Sequence, residues 1–129
     1  MDYLFLLGRV LYGGFFVWAG LNHFRNLTAM AGYASFRQVP ASKVAVIVSG
    51  LLILVGGLCI LLGFNPTLGI ICIVVFLVPV TFMMHPFWSD TDPQTRLSNR
   101  VNFEKNLALL GGALMLLGVL QPWPFSLQL

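Results

Sequence analysis

Three ionisable side chains flank apolar segments of the sequence, at positions where they could meet and exchange protons. His23 follows the first apolar segment, His85 follows the third, and Glu104 lies near the start of the fourth. Histidine gains or loses a proton near neutral pH, and a carboxylate can orient it or accept that proton. We therefore predict His23, His85 and Glu104 as a catalytic group suited to quinol oxidation or proton-coupled transfer.

Two other interpretations of this group stay open at this point. Two histidines and one carboxylate are a known metal-binding set, but their spacing here matches no local metal-binding motif, so we predict no metal. The same residues also fit simple polar helix ends at the level of the lipid head groups.

Three further residues are candidates for binding a cofactor. Arg9 shares a helix face with His23, and a charge inside an apolar segment either serves a function or snorkels to the nearer membrane surface. Trp88 either stacks on a flat quinone ring or forms an interfacial aromatic belt, with Trp123 on the opposite side. Asn106 lies close to Glu104 in the sequence, at the expected depth of the histidines.

The composition places these residues in a membrane. Of the 129 residues, 58% are hydrophobic and 9% are charged, against about 25% charged residues in soluble domains. Four segments have roughly the 20 residues that cross a bilayer, namely 3–21, 44–64, 67–84 and 103–121. The sequence predicts one all-α transmembrane domain over 1–129, a four-helix bundle in lipid. The scattered basic residues form no stripe for nucleic acid.

The segments between the spans also carry local signals. Helical spacing after Asn26 predicts a short interfacial helix in the first loop. Asn65 and Pro66 suit an N-cap and the first helical position, so the second and third spans should form a hairpin. Asp90 and Asp92 fit a solvated turn.

Small residues predict how the helices pack. Glycines seven residues apart form smooth stripes on three spans, which allow backbones to approach closely. These pairs are Gly13 with Gly20, Gly56 with Gly63, and Gly111 with Gly118. Cys59 and Cys72 lie equally far from the hairpin turn, so they are either a redox pair or two inert buried thiols.

The basic residues predict the orientation. Arginine and lysine concentrate in the first loop and before the fourth span, while the hairpin turn and the C-terminus have none. By the positive-inside rule, both long loops face the cytoplasm and both termini face outside, in a multi-pass protein of the inner (plasma) membrane.

The order of several short motifs resembles the DoxX family of small four-helix membrane proteins. The motifs are Gly8-Arg9, Gly20-Leu21-Asn22-His23-Phe24, Gly56-Gly57, His85-Pro86-Phe87-Trp88 and Lys105-Asn106-Leu107 with Gly111-Gly112. The resemblance covers nearly the whole chain.

The resemblance implies a membrane subunit linked to quinone, redox metabolism or oxidative stress. The expected ligand is a quinone, the expected partner is a soluble or membrane redox protein, and a homo-oligomer is compatible with the sequence. Whether the chain is itself an oxidoreductase stays open, because no motif for another redox cofactor is present. Two alternatives are a scaffold that holds a soluble oxidoreductase through Arg37 or Arg96, and a small transporter with Arg9 lining the path.

Overall fold

The computed structural model describes residues 1–127, and the regular structure in this range is helical throughout. Five α-helices follow one another, with one 3-10 helix before the last. They are α1 (Asp2–Arg25), α2 (Leu27–Phe36), α3 (Ser42–Leu62), α4 (Pro66–Met84), the 3-10 helix (Phe87–Ser89) and α5 (Pro93–Leu116).

Three of these helices are long and apolar enough to cross a membrane. They are α1, α3 and α4, the last extended through the 3-10 helix to Ser89. The prediction of a membrane protein with long spans is therefore confirmed for the first three segments. The described chain is a bundle of four long helices with the short α2 added. The fourth long helix, α5, has the length of a membrane span but is not apolar enough to be counted as one.

The fourth predicted span differs from α5 at both ends. Instead of 103–121, the helix begins at Pro93 and ends at Leu116. The start is set by Asp92, whose side chain caps the helix by accepting a hydrogen bond from the Thr95 amide at 2.9 Å. The apolar run that predicted the span fills only the part after Asn106, which is about 15 Å long.

The two local predictions about the loops are confirmed as secondary structure. A short helix follows Asn26, as the spacing predicted, and buries Ala34 against the bundle. In the hairpin, Asn65 accepts a hydrogen bond from the Leu68 amide at 3.4 Å, and Pro66 is the first residue of α4.

Glycine allows α1 and α3 to pack backbone against backbone. A Cβ atom added to Gly13 would lie 2.8 Å from the carbonyl oxygen of Gly57, and one added to Gly57 would lie 2.7 Å from that of Gly13. Gly14 and Gly111, by contrast, have open space at their Cβ positions. The predicted stripe on α1 therefore consists of Gly13 and Gly20, with Gly20 packed against Leu54.

The α3–α4 contact uses glycine together with both cysteines. A Cβ on Gly69 would lie 2.6 Å from Cβ of Cys59, and a Cβ on Gly56 would lie 3.3 Å from Cβ of Cys72. Each cysteine thus packs on a glycine of the opposite helix. Both are free thiols in the structure.

The C-terminal segment 117–127 folds back over the end of the bundle that carries Arg9, which we call the arginine end. Trp123 is only 2% exposed and packs edge to face on Phe5, with ring centroids 5.2 Å apart. The prediction of Trp123 in an interfacial belt is therefore wrong, because its ring completes the core.

Candidate functional site

A cavity of about 560 Å³ lies between the helices at the opposite end, which carries His23 and His85 and which we call the histidine end. All five α-helices contribute to its wall. Most of the lining side chains are apolar, and the polar ones are His23, Tyr33, Ser49, His85, Lys105 and Asn106. Such a site accepts a mainly apolar ligand that carries a few polar atoms.

His23 is fixed near the end of α1 by hydrogen bonds from α3. The ring is 8% exposed, and its Nδ1 lies 3.1 Å from the Val46 carbonyl oxygen and 3.2 Å from the Ser49 hydroxyl. Phe76 of α4 packs against the ring, with centroids 5.9 Å apart. One ring nitrogen, Nε2, is left without a partner among the described residues.

His85 follows α4 and belongs to a polar network. Its Nδ1 lies 3.2 Å from Oδ1 of Asn99, and Nδ2 of Asn99 donates to Oδ2 of Asp90 at 2.7 Å. Arg37 forms an ion pair with Asp90 at 3.1 Å and donates from Nε to the Tyr33 hydroxyl, also at 3.1 Å. We call these five residues the polar network.

Asn106 presents a buried amide to the cavity. It is 7% exposed and makes no side-chain hydrogen bond among the described residues. In that part of the chain, every fully enclosed side-chain nitrogen or oxygen has a partner. The Asn106 amide is therefore not fully enclosed, and the residue lines the cavity.

The other two residues predicted at this end lie outside the cavity wall. Glu104 is on the exposed side of α5, where it pairs with Arg100 at 3.0 Å and its side chain is 60% exposed. Trp88 is 53% exposed and packs edge to face on Phe103. The structure thus brings together His23, His85 and Asn106 of the predicted group.

Arg9 lies far from this cavity, within the arginine end. It is 2% exposed and donates hydrogen bonds to four backbone carbonyl oxygens, those of Ile60, Leu61, Pro124 and Phe125. Its guanidinium also lies 5.8 Å from the ring centroid of Trp123. Arg9 therefore points into protein and neither snorkels to a surface nor borders the cavity.

Most of the polar network was missed from sequence. Asp90 was predicted as a solvated turn and Arg37 as a candidate partner contact, yet their side chains are 10% and 9% exposed in one ion pair. The cap at Asp92 carried the missing signal. A helix that starts at Pro93 contains both Asn99 and Asn106. Residues seven positions apart lie on the same face of a helix, and both of these residues are buried.

No group of three metal-ligating side chains forms among residues 1–127. The two histidines use their Nδ1 atoms in hydrogen bonds within the protein, and Glu104 lies on the outer side of α5.

Acid should weaken the fold through Asp90. Its hydrogen bond from Asn99 and its pairing with Arg37 hold the pKa of this carboxyl below its ordinary value. A lowered pKa stabilises the fold above the ordinary pKa of aspartate, and this contribution is lost as pH falls through the lowered value. We expect the free energy of unfolding in detergent to decrease below about pH 4. Asp90→Asn should be less stable at neutral pH and should show a smaller decrease in acid; an unchanged acid profile would contradict this assignment.

The DoxX family model matches residues 4–86, a range that includes most of α1, all of α2 to α4 and both cavity histidines. No curated protein and no solved structure matches the chain.

Proposed function

The chain belongs to the DoxX family of membrane proteins, and from this premise we propose that it is a quinone-associated membrane subunit linked to redox metabolism. The cavity at the histidine end would hold the head group of an isoprenoid quinone or quinol. The ligand's tail would leave between apolar helices toward the lipid.

The observation that carries the proposal is the combination of an apolar wall with hydrogen-bonding atoms that lack protein partners but are not fully enclosed. The volume of about 560 Å³ lies within the roughly 300–1,000 Å³ typical of small-molecule sites. The Asn106 amide and the Nε2 atoms of His23 and His85 have no partner among the described residues. Leaving such groups unpaired is unfavourable, so a ligand that bonds to them gains affinity.

The neighbouring side chains suit a flat, amphipathic head group. The aromatic side chains of Phe16 and Phe76 border the cavity, and Lys105 also lines it and contributes a positive charge. His23 and His85 would exchange protons with the bound ligand. Electrons would come from or pass to a soluble or membrane redox partner, and the histidine end would face the cytoplasm of a plasma-membrane protein.

Lipid extraction tests the proposal directly. Purified wild-type protein should carry about one quinone per chain, measured by mass spectrometry of the extract. Asn106→Leu and His85→Ala should reduce this occupancy roughly tenfold, because each removes one polar contact from an otherwise apolar site. Asn102→Leu is the matched control, since Asn102 lies one turn earlier on α5 and does not border the cavity.

One outcome of the lipid extraction would contradict the quinone proposal. If the wild type carries no quinone and binds none added to detergent-purified protein, the quinone proposal fails and the scaffold alternative gains weight. Glu104→Gln addresses a separate question. Loss of quinone in this variant would show that the exposed carboxylate contributes to binding. Normal occupancy would show that His23, His85 and Asn106 bind the quinone without it.

A further inference from the structure

The polar network has a fixed hydrogen-bond direction that starts at an ion pair. Arg37 and Asp90 are paired at 3.1 Å and are largely shielded from solvent. An ionised carboxylate can only accept hydrogen bonds. The amide of Asn99 must therefore turn its NH2 group toward Asp90, and the distance from Nδ2 to Oδ2 is 2.7 Å.

This orientation determines which nitrogen of His85 carries the proton. The other end of the Asn99 amide, Oδ1, lies 3.2 Å from Nδ1 of His85. An amide oxygen only accepts, so Nδ1 must donate and, in the neutral ring, Nε2 keeps its lone pair.

His23 also carries its ring proton on Nδ1, for a different reason. Its Nδ1 lies 3.1 Å from the carbonyl oxygen of Val46, which also only accepts. The Ser49 hydroxyl, 3.2 Å from the same Nδ1, donates its own proton to the Val46 carbonyl at 3.1 Å, so its oxygen also accepts from Nδ1. Both histidines therefore keep an unprotonated Nε2. Neither Nε2 has a partner in the described chain, where every fully enclosed side-chain nitrogen has one, so both must have open space beside them. The cavity borders both residues.

We propose that the Arg37–Asp90 ion pair, acting through Asn99, sets His85 to accept a hydrogen bond, so that the cavity selects a head group that carries hydroxyl donors. This inference rests on the proposed function and names the ligand form: the hydroquinone, whose hydroxyls donate to Nε2 and also accept from the Asn106 amide, is preferred over the quinone, whose carbonyl oxygens only accept. Arg37, Asp90 and Asn99 are positioning residues, because they act on the ligand through His85.

The preference is measurable with a matched pair of ligands. A short-chain hydroquinone should bind the purified wild-type protein at least about tenfold more tightly than the corresponding 1,4-benzoquinone, since the two hydroxyl donors match the two Nε2 acceptors. Anaerobic isothermal titration in detergent, with each form prepared separately, gives both dissociation constants.

Asp90→Asn tests the positioning role. An amide at position 90 can face Asn99 with either its oxygen or its NH2 group, so Asn99 can turn over and His85 can present an Nε2–H donor. The ratio of the two dissociation constants should then fall to about twofold or less. A merely structural role would weaken both ligands equally and leave the ratio unchanged. Asp92→Asn, the same change at the helix cap outside the network, should keep the wild-type ratio.

The possible outcomes separate this inference from the proposed function. Equal or tighter binding of the quinone by the wild type overturns the inference while quinone association stands, and an unchanged ratio in Asp90→Asn overturns the positioning role. Failure of both forms to bind the wild type overturns the proposed function itself. Asn99→Leu should also lose the preference while keeping the Arg37–Asp90 pair, and it replaces Asp90→Asn if that variant does not fold.

Discussion

Replacing Gly13 with alanine is expected to destabilise the protein by about 2 to 3 kcal/mol. The added methyl group would lie 2.8 Å from both the Gly57 carbonyl oxygen and the Leu61 amide nitrogen. Both atoms belong to the backbone of α3, so no side chain can rotate away, and the two helices must separate. The free energy of unfolding in detergent, followed by helical circular dichroism, measures the effect.

Gly14→Ala is the control for this experiment. It introduces the same methyl group one residue along α1, where nothing lies within 4 Å of the added Cβ. Since alanine favours helix over glycine, this variant should be neutral or slightly more stable in the same assay. Equal destabilisation by the two substitutions would show that close contact between α1 and α3 is not the cause.

Arg9→Met should destabilise the arginine end by about 3 kcal/mol, because hydrogen bonds to charged groups contribute more than neutral ones. The substitution leaves the Ile60 and Leu61 carbonyls at the end of α3 without their donor. It also removes the contacts that hold the C-terminal segment at Pro124 and Phe125. Faster hydrogen exchange at the amides of 117–127 would report the release of this segment.

Two variants make the arginine experiment specific. Arg9→Lys keeps the charge but cannot reach several carbonyls with a planar fork, so its stability should fall between those of wild type and Arg9→Met. Arg25→Met removes an exposed cation at the other end of α1, where it lies over the Trp18 ring, and should change stability little. Comparable losses in Arg25→Met and Arg9→Met would contradict a role for the buried contacts.

The parts of the fold that follow from local patterns were predictable from sequence. Apolar length predicted α1, α3 and α4, and the Asn65–Pro66 pair predicted the hairpin between the last two. The start of α5 was missed because the prediction followed hydrophobicity and gave no weight to the cap at Asp92. That polar first part of α5 carries Asn99, which links His85 to Asp90.

The candidate site was only partly predictable, because the sequence indicates the depth of a helix end in the membrane but not the direction of each side chain. Equal depth of helix ends correctly brought His23, His85 and Asn106 to one end of the bundle. Depth does not give the direction in which a side chain points, and Glu104 is on the opposite side of α5 from the cavity. Arg9 could not be placed from sequence, because its partners are carbonyl oxygens, which every residue type supplies.

The uneven lengths of the helices have a consequence for the surrounding lipid. α3 has 21 residues and is roughly 31 Å long, which matches a bilayer core, while the apolar part of α5 reaches only about half of that. Leu107, Leu114 and Met115 are exposed on this short stretch. The continuous apolar part of the helix is therefore shorter on the α5 side than on the α3 side, and we expect the bilayer to thin locally beside α5. Acyl chains there would be shorter and more disordered than those beside α3, next to a helix that forms part of the cavity wall.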